Sequence, residues 1–432
     1  MRILRIGLIL LVAFGVLSLG AVNVWAQSIL EIGAGLLLVW WAAMACFAAE
    51  TPIRWNPLNW PLLGFIAIAA LQLLFGGTAS AFLTRAELLR LVAYFILFFL
   101  VAQAFRTRMD FLRLAWFVIV FCFAVSLFGI AQHFTSTNEI YWMHSLKTDV
   151  QPFGPYVNRN DFAGFVELTL PIGLALMIFR GAHKDLFPLL ALLAIVPISA
   201  AILSGSRGGI VSIAFEIGVL LLLAARRRGA RNKNASRNLA LGLAAVAAVA
   251  FVAWVGVGRT AERFSHLRHP EVTMARRVSM ARGALHIFLA HPIKGCGLGA
   301  LVDVFPLYET AYDGRVVDHV HNDYMEALAE AGILGAICGL GFLWLLYRGA
   351  RKSFEVEQGH FSRALHAGAI AAVCGLLLHS FVDFNLHIPG NALLFLLEVS
   401  IATGPPLPAA LRSRVPRAGA AERLDQNIPV PQ

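Results

Sequence analysis

Apolar residues run in long unbroken blocks along this chain, not in the alternating or 3.6-residue stripes of half-buried strands and helices. The blocks are about Ile6–Val24, Ile32–Ala49, Trp60–Phe75, Leu88–Phe105, Leu114–Gln132 and Phe162–Phe179, then Leu186–Leu203, Ile210–Ala225, Leu239–Val257, Ala327–Tyr347, Ala364–Phe381 and Ile388–Thr403. A hydrocarbon core about 30 Å thick takes about 20 apolar residues per helix. The pattern therefore predicts an all-α polytopic membrane protein with about 12 transmembrane helices. Residues 1–257 hold spans one to nine and 258–326 form one large loop. Residues 327–404 hold spans ten to twelve, and 405–432 form a Pro/Ala/Arg-rich tail with too little apolar surface to order itself.

Composition sharpens this reading. Of the 432 residues, 59% are hydrophobic and 14% charged, against about 25% charged in soluble domains. That excludes a soluble enzyme of ordinary make-up. The net charge of +10 reads as topology once the cations are placed. With Arg2 and Arg5 inside, the alternate loops hold Arg54, then Arg106, Arg108 and Arg113, then Arg180 and Lys184. The run from Arg226 to Arg237 follows, then Arg348, Arg351, Lys352 and Arg363, and the tail from Arg412. Loops rich in Lys and Arg stay in the cytoplasm, so both termini are inside and 258–326 is outside. The run from Arg226 to Arg237 is then a membrane anchor, and no nucleic-acid partner is expected. Val24-Trp25-Ala26 also has the form of a signal-peptide cleavage site, and the later spans keep their orientation either way. The five cysteines form no CxxC pattern, which leaves no disulfide framework or zinc motif.

Outside the anchors, polar residues gather on outer segments. The string Gly154-Pro155-Tyr156-Val157-Asn158-Arg159-Asn160-Asp161 runs into a span, and Asn160 or Asp161 can cap that helix. Arg159 then sits at the mouth of the bundle, either as an interfacial residue or facing a ligand. Ser204-Gly205-Ser206-Arg207-Gly208-Gly209 is a tight turn in which Ser206 can cap the next helix, and a helix start beside an arginine suits an anion. The large loop holds Arg276-Arg277, a helical stretch Val278–Ala290, and His291-Pro292-Ile293-Lys294-Gly295-Cys296-Gly297-Leu298-Gly299. No strand precedes these glycines, so they read as a turn and not a dinucleotide fingerprint. The basic residues of the loop suit a phosphate-bearing substrate.

The fourth string is His319-Val320-His321-Asn322-Asp323-Tyr324-Met325-Glu326. Asp323 and Glu326 read as a capping box, which sets His321 just before a helix start. There the positive helix end keeps an imidazole neutral, and a neutral histidine can take a proton from a hydroxyl. His319 and His321 alone also suggest a metal, but spacing fixes no third ligand.

Taken together, these strings resemble the O-antigen ligase and O-antigen polymerase superfamily of bacterial inner membranes. The resemblance rests on Ser206-Arg207-Gly208-Gly209, on Arg277 followed by His291-Pro292 and Gly295, Gly297 and Gly299, and most on His321-Asn322-Asp323-Tyr324-x-Glu326 with Glu330, Gly332 and Gly335. Asn158-Arg159-Asn160 and Asp383-Phe384-Asn385-x-x-Ile388-Pro389 are similar to segments of many members. The resemblance spans about 154–391 and departs where Ser279-Met280-Ala281 stands in place of a tryptophan often found after the arginine.

This resemblance implies a GT-C-like, metal-independent, inverting glycosyltransferase without a cofactor. Such an enzyme takes a glycan from undecaprenyl diphosphate and passes it to a hydroxyl of lipid A–core or of a growing glycan at the periplasmic face. His321 would be the base, and Arg207 and Arg277, with Arg159 and Arg276, would hold the diphosphate. Ser206, Asn322, Asp323 and Glu326 would support them. Competing readings are a protein O-oligosaccharyltransferase and a polysaccharide or lipid-carrier transporter without chemistry. Transporters place ionisable groups at midspan, whereas the spans here are nearly free of charge, with Glu167, His379 and Glu398 the main exceptions.

Overall fold

The computed structural model describes residues 1–47, 52–136, 139–145, 151–228, 274–310, 314–356 and 359–405, with Gly242 and Tyr312. Among these residues the chain consists of helices and their connecting loops, with one two-stranded hairpin at Glu139–Ile140 and His144–Ser145. The helices are α1 (Arg2–Leu17), α2 (Val24–Phe47), α3 (Asn59–Leu74), α4 (Ala81–Ala104), α5 (Arg108–Thr135), α6 (Arg159–Ile178) and α7 (Phe187–Ser204). They continue with α8 (Arg207–Arg228), α9 (Met274–Ala290), α10 (Leu301–Val304), α11 (Asp323–Val356), α12 (His360–His379) and α13 (Pro389–Thr403). Each predicted apolar block coincides with a helix over most of its length except Leu239–Val257, which lies outside the described residues, as do the start of the large loop and most of the tail; the block Ile6–Val24 is broken after Leu17, and Val24 already begins α2. The expected helical stretch Val278–Ala290 is present as α9.

Eight of the helices are long and apolar enough to cross a bilayer, and α3 and α13 are shorter apolar helices. The chain is an all-α, multi-pass membrane protein. Several helices outrun their apolar blocks. The fourth begins at Ala81, not Leu88, and α11 is 34 residues long. Backbone hydrogen bonding does not stop where the apolar residues do, so the block underestimates the helix.

Two spans form the centre. In α6 and α12, 83% and 78% of the most apolar window is buried, against 11% in α2. Helix α13 is buried along nearly its whole length and packs beside them. Without a hydrophobic drive between helices in lipid, close packing through small residues takes over. A Cβ on Gly368 would lie 2.9 Å from the Ile172 Cα, and one on Gly390 would lie 2.7 Å from the Gly15 carbonyl oxygen. The outer helices keep large apolar side chains such as Leu36, Val39, Leu192 and Ile337 exposed for lipid.

The helix starts correct two expectations. Asn158, and neither Asn160 nor Asp161, caps α6: its side chain accepts from the Asn160 N–H at 2.9 Å. Asn322 caps α11, accepting from Tyr324 N–H at 3.1 Å and Met325 N–H at 3.0 Å. The capping box at Asp323 and Glu326 is not formed, because both carboxylates are taken by histidines.

Candidate active site

The starts of α6, α8, α11 and α13 and the end of α12 meet at one end of the bundle. Asp383, in the turn after α12, is completely buried there. Its Oδ2 accepts from Asn160 Nδ2 at 2.6 Å, and its Oδ1 lies 3.1 Å from His321 Nδ1 and accepts from Phe384 N–H at 3.0 Å. Arg277 Nη2 stands 3.7 Å from Oδ2, while its Nη1 donates to the Val382 carbonyl. Burial alone would push the Asp383 carboxyl up. The His321 hydrogen bond and the nearby Arg277 guanidinium outweigh it and hold the group well below the ordinary carboxylate range. An ionised carboxylate only accepts, so His321 Nδ1 carries the proton in this contact and Nε2 is the basic atom. His321 itself has φ +51°, a left-handed conformation that costs about 1–3 kcal/mol and recurs at functional sites. That turn of the backbone aims the ring at Asp383.

A second histidine cluster lies beside the first. His319 Nδ1 is 2.6 Å from Glu326 Oε1, whose partner oxygen accepts from Val320 N–H at 3.0 Å. His387 bridges Glu326 Oε1 at 3.3 Å and Asp323 Oδ1 at 2.8 Å. Burial would lower His387, but Glu326, Asp323 and Glu330 raise it to about 10. His319 is likewise raised by Glu326 against the effect of burial. The Phe384 ring separates the clusters. It stacks on His319 at 4.6 Å and meets His321 edge-on at 4.8 Å.

His319, Glu326 and His387 supply a third ligand that spacing did not, with donor atoms within 4.8 Å of one another. Ligands sharing a tetrahedral zinc at about 2.0–2.1 Å stand about 3.3 Å apart. The 2.6 Å His319–Glu326 contact is instead the length of a charge-assisted hydrogen bond, so this cluster suits shared protons better than an ion.

The arginines separate by partner. Arg277 reaches Asp383, whereas Arg276 is paired with Glu309. Arg207 is exposed at the start of α8. Gly205 turns the chain into that helix with φ +72°, and Ser206 Oγ accepts from Gly209 N–H at 3.2 Å. A Cβ on Gly208 would lie 3.4 Å from Val382 Cγ2. The first turn of α8 and Arg277 therefore share the 382–383 turn as neighbour. Arg159 begins α6, next to Asn160.

The glycines after His291 serve packing. A Cβ on Gly295 would overlap the Glu330 carbonyl at 2.2 Å, and one on Gly297 would meet Thr78 Oγ1 at 2.1 Å. Gln72 fastens the same loop, donating to the Lys294 and Glu330 carbonyls at 2.6 and 2.9 Å.

Sequence reasoning missed Asp383 and His387 as site residues. The signal for Asp383 was present in the Asp383-Phe384-Asn385 string, but a lone aspartate in a short turn carries no mark of its partners. Together the groups offer a base with a fixed tautomer, a buried anion behind it, and arginines beside it. Residues 190–340 match the family model described as O-antigen ligase. None of the curated proteins matches the chain.

Proposed function

We propose that this chain is an O-antigen ligase-type enzyme that transfers a glycan from undecaprenyl diphosphate to a hydroxyl acceptor at the periplasmic face of a bacterial inner membrane. The acceptor is lipid A–core or a growing glycan. The observation that carries this reading is the Asp383 carboxylate, which joins the base His321 to the cation Arg277.

The acceptor oxygen attacks the anomeric carbon as its proton passes to His321 Nε2. The bond from that carbon to the diphosphate breaks, and undecaprenyl diphosphate leaves with the electron pair. A single displacement inverts the anomeric centre. Asp383 steadies the imidazolium that forms, in the manner of the carboxylate of a catalytic triad. Negative charge grows on the diphosphate, and fixed cations aimed at it lower the barrier. Arg207 and Arg277 supply them, with Arg159 at the mouth, so no metal takes part in bond making. Arg276 gives its charge to Glu309 and has a lesser part.

Transfer assayed with purified protein, lipid-linked donor and acceptor tests this reading. His321→Ala should lower the rate by about 10²–10⁴-fold, the usual contribution of general-base catalysis, with donor binding kept. Wild-type rates in the folded variant would exclude His321 as the base. The orientation is tested at Leu307, which is 82% exposed beside α10. Leu307→Cys should react with an impermeant maleimide in intact spheroplasts, and reaction only after lysis would reverse the topology.

A further inference from the structure

Beneath the α8 turn lies an ionisable pair that the transfer step does not use. Glu167 of α6 and His379 at the end of α12 are buried, with His379 Nδ1 2.8 Å from Glu167 Oε1. Ionisable groups inside a membrane protein are costly and call for a reason. The carboxylate on Nδ1 leaves Nε2 directed elsewhere, and the glycines of α8 reveal where. A Cβ on Gly208 would stand 2.5 Å from His379 Nε2. One on Gly209 would stand 2.5 Å from Ala163 Cβ and 3.3 Å from Glu167 Oε1. The first turn of α8 is thus bare of side chains where it rests on this pair. Asn385 Nδ2 lies 3.4 Å from the same Nδ1.

We infer that His379, oriented by Glu167, is a positioning residue for Arg207, and that the glycines of Ser206-Arg207-Gly208-Gly209 seat the start of α8 on its ring. The inference rests on the reading of Arg207 as a diphosphate ligand. Ser206 Oγ closes the cap by accepting from Gly209 N–H, and Arg207 stands between the cap and the glycine that meets the ring. A shift of the ring moves the start of α8 relative to Arg277, because both flank the 382–383 turn. His379 touches no substrate; it acts through the helix.

Steady-state transfer with separate variation of donor and acceptor tests this. His379→Ala should raise the donor KM by about ten- to a hundredfold, the scale of effect that a misplacement of about 1 Å produces, with the acceptor KM unchanged. His379→Gln, which can still donate to Glu167, should recover most of the loss. Gly208→Ala, which presses a methyl group on Nε2, should also raise the donor KM. The double variant Gly208→Ala/His379→Ala should do no better than His379→Ala. If the ring were only a packing contact, removing it would relieve the added methyl and the double variant would return to wild type, which overturns the inference. Gly208→Ala keeps the test open if His379→Ala fails to fold. Arg207→Ala in the same assay separates the two readings. A raised donor KM there with unchanged values in the His379 and Gly208 variants refutes the seat alone. An unchanged KM in Arg207→Ala refutes the diphosphate role and the seat with it.

Discussion

On one side of the Phe384 ring, His321 faces a carboxylate that is wholly buried and shared with Arg277 and Asn160. On the other side, His319 faces Glu326, and His387 closes the set by bridging Glu326 and Asp323. Both units pair an imidazole with a carboxylate, yet they differ in what remains to be done. The His319 side ties each of its carboxylates to a histidine and braces the loop before α11. The His321 side keeps one ring nitrogen basic and an arginine close by. A histidine–carboxylate contact is therefore no mark of catalysis in itself, and the role proposed for His321 rests on the company its carboxylate keeps.

The sharpest way to break this contrast is to change each carboxylate partner in turn. Asp383→Asn should have the largest effect. It removes the charge behind the imidazolium and the control of its tautomer, so transfer should fall by about 10²–10⁴-fold in a variant that still elutes as folded protein. A loss smaller than about fivefold would reduce Asp383 to a structural residue. His387→Gln should act mainly on stability, lowering it by about 1–3 kcal/mol through unpaired buried acceptors, with a smaller change in rate.

Acidity separates the two sides further. The pKa of His387 is raised from 6.5 to about 10. A raised value means that its pairs stabilise the fold fully below about pH 6.5 and are lost as the pH climbs towards 10. The gap in melting temperature between wild type and His387→Gln should be widest near pH 6.5 and close near pH 10. A gap that stays constant with pH would mean that the ring acts by shape alone.

The helices were legible because apolar length is a local property, and eleven of twelve blocks correspond to described helices. Caps were legible only to within one or two residues. Asn158, Asn160 and Asp161 all have capping side chains, and the choice depends on Asp383 claiming Asn160. His321, Arg207 and Arg277 stood out by residue type at helix starts. Asp383 did not, since its partners lie 62 residues away at His321 and 223 away at Asn160. His387 stayed hidden for the same reason. Choosing Arg277 over Arg276 also needed geometry, because adjacent residues on a helix point about 100° apart.

Helix α11 is interrupted at Gly332, whose φ of +62° and ψ of −153° break the helical geometry between Asp323 and Val356. There the loop after His291 comes so close that a Cβ would lie 2.5 Å from the Ile293 carbonyl oxygen. Asp323, Glu326 and Glu330 thus belong to a short piece before the break, fastened to that loop and to Gln72, while the longer piece beyond Gly332 leaves large apolar side chains such as Ile337 and Leu340 exposed. A helix that meets a thicker or thinner bilayer tilts or shifts to match it. The break at Gly332 gives the longer piece a joint at which such an adjustment can be taken up apart from the acidic residues, which would keep the spacing of the proposed site across membranes of different thickness.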